Sequence, residues 1–155
     1  MSVPNDSLLA EPINAALVML LSRDPRTSIS ELARQVGMSA PAVRERIQRL
    51  EEARVIRGYR LDVDPKALGL PLAAIVRIRP MPGQLQKIAM LAAETPNVTE
   101  CHRVTGEDCF VMKIHFDAIE SRDRILDAFL AHGQTTTSII QSSPVPPRSL
   151  PVGDS

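Results

Sequence analysis

The apolar residues of this 155-residue chain change their spacing once, and that change limits the fold more than any single motif does. Up to Ala53 they recur every three or four positions, the period of an α-helix; from Leu72 to Ile78 they alternate, the period of a β-strand. The switch falls where prolines gather. Of 13 prolines, Pro65, Pro71, Pro80 and Pro82 crowd the middle, Pro144, Pro146, Pro147 and Pro151 crowd the end, and none lies between Asn97 and Ser143. Proline interrupts regular structure. The chain therefore reads as a helical domain over 1–64, a linker over 65–71, a mixed domain over 72–143 and a Pro-rich, poorly ordered tail over 144–155. With 44% hydrophobic and 23% charged residues, there is enough apolar surface to build a core.

In the first domain, Ile13, Leu17, Leu20 and Leu21 form one helical stripe that stops at Arg23-Asp24-Pro25. Ser28 or Ser30 can cap a second helix carrying Leu32, Ala33 and Val36, with Gly37 placed as its C-terminal cap. Ser39 caps a third helix, with Pro41 in its first turn and Val43, Ile47 and Leu50 on one face, which is expected to end near Ala53. Val55 to Val63 reads as two short extended segments about Gly58, a small hairpin or wing. A short helix, a glycine turn and a second helix begun by Ser39 make a helix-turn-helix, whose second helix enters the major groove of DNA.

The whole-chain charge argues the other way. Eighteen Lys+Arg balance 18 Asp+Glu, so a strongly basic pI is absent. The distribution reverses that: Arg34 to Arg60 holds seven arginines and three glutamates, a local excess of four positive charges. At about 100° per residue, Pro41, Glu45 and Gln48 lie opposite the apolar face of the third helix, flanked by Arg44 and Arg49. Phosphate contacts are assigned to Arg34, Arg46, Arg57 and Arg60, and base reading to Arg44, Glu45 and Gln48. The competing reading is a solvated, salt-bridged helix in a small-molecule sensor whose helical domain binds a protein instead of DNA.

The second domain reads as β-α-β-β-α-β, the ferredoxin-like arrangement. Strands are expected at Leu72–Pro80, Val98–Thr105, Cys109–Phe116 and Thr135–Ser142, with a hairpin turn at Gly106-Glu107-Asp108. Leu85, Ile88, Ala89 and Ala92 mark one helix, and Ile119, Leu126, Phe129 and Leu130 mark the other, capped by Asp117 and closed by Gly133. The helices cover one sheet face. The other would expose Ala, Ile, Val and Thr side chains, so a homodimer through the sheets is expected. The fold class is α+β.

The run Leu32-Ala33-Arg34-Gln35-Val36-Gly37-Met38-Ser39 leads into Val43, Arg46-Ile47, Arg49-Leu50-Glu51, Val55-Ile56-Arg57-Gly58-Tyr59, then Asp64-Pro65 with Leu68-Gly69. This ordered series resembles the Lrp/AsnC (leucine-responsive/asparagine-regulator, feast/famine) family of prokaryotic transcription regulators. It continues through Val104-Thr105-Gly106-Glu107 and Thr135-Thr136-Thr137-Ser138-Ile139. The resemblance implies an N-terminal winged helix-turn-helix for double-stranded DNA and a C-terminal ferredoxin-like (RAM) domain. It also implies dimers that assemble to tetramers or octamers, and an amino-acid effector bound between dimers. Three departures stand out: Asn14 where the family usually has an acid, Arg54 where it usually has glycine, and Cys109 where its Gly-x-x-Asp turn has aspartate, with Asp108 one position early. The effector site implied takes in Thr105, Gly106, Glu107, Asp108 and Cys109, with Gln134, Thr135 and Thr136 supplying further polar groups. The acidic turn has a plainer reading as a turn alone.

Other chemistry finds little support. Cys101 and Cys109 are too few for a disulfide scaffold and lack zinc-site spacing, which points to a reducing, cytoplasmic setting; the regulator that the resemblance implies would sit there at the nucleoid. The longest apolar run, Ala15 to Leu21, is too short for a bilayer, so no membrane partner is expected. His102, His115 and His132 are scattered, and Cys101 and His102 are strand neighbours facing opposite ways. No enzyme activity, metal or cofactor beyond the amino-acid effector is expected.

Overall fold

A computed structural model of the chain describes residues 6–152. The first five residues of the expected N-terminal domain and the last three of the tail lie outside the described residues. The described chain divides into two compact units: one runs up to Leu61 and takes in the chain again from Val145, and the other is Asp62–Pro144.

The first unit is helical, with α1 (Asp6–Leu9), α2 (Pro12–Arg23), α3 (Ile29–Val36) and α4 (Ala40–Glu52). Leu17 of α2, Leu32 of α3, and Val43 and Leu50 of α4 are fully buried, with Leu21, Ala33 and Ile47 beside them. The expected wing does not form: no strand is assigned between Val55 and Val63. Ile56 packs against the helical core, but Arg57, Gly58, Tyr59 and Arg60 beyond it are exposed, so the segment has neither a partner strand nor a continuous buried face to fix an alternation. The tail also differs from expectation. From Val145 it belongs with the helical unit, and Ser149 Oγ donates to the Ser22 carbonyl of α2 at 3.3 Å.

The second unit opens with a 3₁₀ turn, Pro65–Leu68, within the expected linker; the Asp64 side chain accepts from the Lys66 amide and Gly69 closes the turn at φ 74°. Four strands follow, β1 (Leu72–Pro80), β2 (Val98–Arg103), β3 (Phe110–Phe116) and β4 (Gly133–Ile139), with α5 (Leu85–Glu94) between β1 and β2 and α6 (Ile119–Leu130) between β3 and β4. They form one sheet in the order β2-β3-β1-β4, antiparallel throughout, which is the ferredoxin-like topology. Alternation decides the faces. Ala74, Val76 and Ile78 of β1 and Phe110, Met112, Ile114 and Phe116 of β3 are buried in one core with Ile88, Leu126 and Phe129 of the helices.

The opposite face carries Ala73, Ile75 and Val111, but Arg77, Lys113 and His115 stand among them, so it is more charged than its apolar pattern suggested. Two local assignments change. Ala118, not Asp117, is the N-cap of α6, and Asp117 accepts from the Ala118 amide one position earlier. Gly133 does not close α6; it opens β4 opposite Pro80. A Cβ at Gly133 would meet the Arg79 carbonyl oxygen at 2.5 Å, backbone that no rotamer can clear. Gly133→Ala is therefore expected to destabilise the protein by about 1–3 kcal/mol, read as an earlier urea midpoint with an unchanged slope; an unmoved midpoint would show that β4 yields there freely.

Candidate nucleic-acid interface and effector loop

The turn between α3 and α4 is built from short-range signals. The Ser28 side chain accepts from the Glu31 amide at 3.1 Å and starts α3. Gly37 takes φ 67°, a left-handed conformation that removes the Cβ conflict and ends it. Ser39 then accepts from the Ala42 amide at 3.4 Å, and Pro41 sits in the first turn of α4, where a missing N–H is harmless. With Val43, Ile47 and Leu50 inward, Pro41, Arg44, Glu45, Gln48 and Arg49 are exposed.

Several of these polar groups have partners within the unit. Arg49 pairs with Glu45, Gln48 Nε2 donates to Glu52 at 2.8 Å, and Arg34 forks onto Glu31 at 2.6 and 3.0 Å. The Arg34 bonds hold the Glu31 carboxyl down to about 2. All are solvent-exposed pairs that water and salt screen, so they yield readily to a competing partner. Arg44, Arg57 and Arg60 are exposed and have no ion pair among the described residues. Tyr59 donates its hydroxyl to Glu51 at 2.9 Å; burial and that carboxylate push its phenol up to about 12.

Arg46 corrects the sequence reading. Expected as a phosphate contact, it turns back onto α2, where Nη1 donates to Asn14 Oδ1 at 2.9 Å and pairs with Glu11 just ahead of that helix. Asn14 is only 3% exposed, and its Nδ2 donates to the Leu8 carbonyl at 2.9 Å. This cross-helix link was invisible in the sequence because its members are 32 and 35 positions apart.

In the second unit, β2 and β3 are joined by a tight loop closed by Val104 N–H donating to the Cys109 carbonyl at 2.8 Å, with Gly106 at φ 108°. Thr105, Gly106 and Glu107 are exposed. Arg79 of β1 holds both acids, Glu107 at 2.9 Å and Asp108 at 3.2 Å. Alternation put Arg79 on the open face, but only the strand register reveals that it meets this loop. Gln134 lies opposite Arg79 and Thr136 opposite Arg77, whereas Thr135 lies opposite Ile78, on the helix side. Thr135 is thus separated from the loop and lines a recess with Arg122, Leu126 and Leu130 of α6. Cys109 packs against the core and Asp108 turns to Arg79, so the early acid does not take the place of the later one.

Two family models match the chain, the AsnC-type helix-turn-helix domain over residues 12–51 and the Lrp/AsnC ligand binding domain over residues 73–150. The HTH-type transcriptional regulator LrpC of Bacillus subtilis is 31% identical over 132 residues, which cover 85% of this chain and 92% of LrpC. This chain belongs to the Lrp/AsnC family. The solved structure of LrpC superposes with a TM-score of 0.80 at 31% identity, covering 84% of this chain and 94% of LrpC. A feast or famine regulatory protein from Mycobacterium tuberculosis, solved in complex with L-methionine, superposes at 0.82 with 30% identity, covering 90% and 97%.

As an Lrp/AsnC protein, the chain is a DNA-binding transcriptional regulator and not an enzyme. No helix among the described residues is long and apolar enough to cross a membrane. The family's usual acid in α2 is here split in two: Asn14 supplies a neutral buried acceptor and Glu11 supplies the charge at the surface. Arg46→Ala would leave Asn14 Oδ1 buried without its donor and is expected to cost about 1–3 kcal/mol. Arg44→Ala, on the exposed face, should stay within about 0.5 kcal/mol. Urea unfolding of the two variants checks the contrast, and equal midpoints would mean that Arg46 is not structural.

Proposed function

We propose that this regulator binds double-stranded DNA through α4, as a homodimer that assembles to a tetramer or octamer, and that an amino acid bound at the 105–109 loop modulates it. The observation that carries the DNA reading is the two-sided character of α4. Its inner face and Arg46 are committed to the fold, while its N-terminal turn and outer face offer Ser39, Pro41, Arg44, Glu45, Gln48 and Arg49. In this reading Arg44, Glu45 and Gln48 meet base edges, and Arg34, Arg57 and Arg60 meet phosphates. Arg46 positions the helix. Such a protein works at the nucleoid, in the cytoplasm.

Gel shifts with the chain's own upstream region across a salt series test this. Arg44→Ala and Gln48→Ala are expected to relax sequence preference by about 1–3 kcal/mol per base contact, and Arg57→Ala to weaken binding to all sequences alike with a salt slope smaller by about one. Absence of any binding at low salt would leave the helical unit as a protein-interaction module and sink the DNA reading.

The open sheet face supports the dimer, with Ala73, Ile75 and Val111 offering apolar surface that is interleaved with Arg77, Lys113 and His115 on the two central strands. Support for an amino-acid effector comes from the ligand-binding domain match and from the L-methionine complex of the mycobacterial relative. Arg79 with Glu107 and Asp108 suits such a zwitterion: its carboxylate competes for Arg79 and its ammonium for the two acids. Thermal shift with a panel of amino acids should show stabilisation of about 2.7 kcal/mol at 100 times the Kd, lost in Arg79→Met. An unchanged shift in that variant would place the effector elsewhere.

A further inference from the structure

Arg54 follows the C-cap of α4 and is the one non-glycine residue with positive φ among the described residues, at 57°. The bonds around it explain why. The Val55 amide reaches back to the Leu50 carbonyl at 2.9 Å and the Arg54 amide to the Glu51 carbonyl at 2.9 Å, the paired closure of a helix whose next residue is left-handed. Glycine suits that position because a Cβ there crowds the backbone, so this chain holds a β-carbon, and a long cation, where the geometry favours none. Strain kept at such a position invites a functional reason.

The surroundings supply one. Arg54 has no ion pair among the described residues and lines an open recess of about 410 Å³ with Glu51, Ile56, Arg57, Gly58 and Tyr59. Two guanidiniums there face one carboxylate, and that carboxylate already accepts the Tyr59 hydroxyl. The 13-residue α4 is about 20 Å long against a major groove about 12 Å wide. With its N-terminal turn on the bases, its far end stands at the phosphate wall.

We infer that Arg54 is a DNA-contacting residue of this chain, closing with Arg57 on a backbone phosphate at the C-terminal end of the reading helix. This rests on the DNA-binding reading above. It also gives the strained backbone its purpose: folding stability is exchanged for a phosphate contact that glycine cannot make.

The test is Arg54→Gly beside Arg54→Lys in the full chain, with melting and salt-dependent gel shifts read on each. Arg54→Gly should melt higher than wild type, because the strain is relieved, yet bind all DNA sequences about tenfold more weakly at 0.1 M salt, with a salt slope smaller by about one. Arg54→Lys should keep most of the affinity and the slope. Wild-type binding with unchanged affinity and slope in Arg54→Gly would overturn this inference while leaving the regulator reading intact. Failure of wild type itself to bind would instead overturn the reading beneath it. A lower melting temperature in Arg54→Gly with DNA binding unaltered would identify Arg54 as a cation serving the helix dipole only, and would also overturn the contact.

Discussion

What α4 offers to DNA is decided by how the helix is rolled about its own axis, and that roll is anchored from two directions. Val43, Ile47 and Leu50 fall within one narrow arc and sink into the core. Arg46 stands at the edge of that arc and is tied to Asn14 and Glu11. At about 100° per residue, fixing those four residues forces Pro41, Arg44, Glu45 and Gln48 outward. Asn14 is well chosen for a site 3% exposed: a carboxylate there would lose its hydration, whereas an amide gives an acceptor and a donor that are both used. The charge that Arg46 needs comes from Glu11, which keeps contact with water.

The sheet unit obeys the same logic with a different period. Strict alternation sends Ala74, Val76 and Ile78 to the helices and leaves Ala73, Ile75, Arg77 and Arg79 on the open face. Because Arg79 lies beyond the last β1–β3 pair, its guanidinium is free to reach the loop that joins β2 to β3. One side chain thereby ties the end of β1 to the acidic loop, while the backbone of the same residue pairs with Gln134 at the start of β4. Anything that draws the Arg79 guanidinium away from its acids releases the loop from β1.

What was legible in the sequence is what is decided within a few residues. Ser28, Gly37 and Ser39 set the helix-turn-helix by bonds to neighbours three or four positions away, and β1 ends at Pro80 as its spacing required. Misreadings came where the partner is distant. Arg46 looked like a surface cation because Asn14 and Glu11 belong to another helix. Gly133 looked like a helix cap because its constraint, the Arg79 carbonyl, lies 54 positions away on another strand. The expected wing failed for the opposite reason: alternating residues specify a strand only when a partner edge or a buried face selects one register, and beyond Ile56, which packs on the core, the segment has neither. The family resemblance extended further than periodicity because it carries long-range information, and it was also what marked Arg54 and Cys109 as departures.

Net charge gives the last step. From Pro65 onward nine cations balance nine acids, so the excess of four positive charges between Arg34 and Arg60 is offset by acids before Arg34 and between Leu61 and Asp64. Within that excess the ion pairs sort the arginines by task. Arg34, Arg46 and Arg49 are matched by Glu31, Glu11 and Glu45, while Arg44, Arg54, Arg57 and Arg60 have no such match among the described residues. Charges farther apart than about 10 Å at 0.1 M salt scarcely feel one another. A polyanion therefore responds to this unmatched local set, running from the outer face of α4 past its end, more than to the zero sum of the chain. A neutral protein with one such set has little affinity for DNA at large. In the proposed dimer, two sets would gain through spacing what neither gains through total charge, and the sequence reading proposed for Arg44 and Gln48 would act on a weak non-specific background.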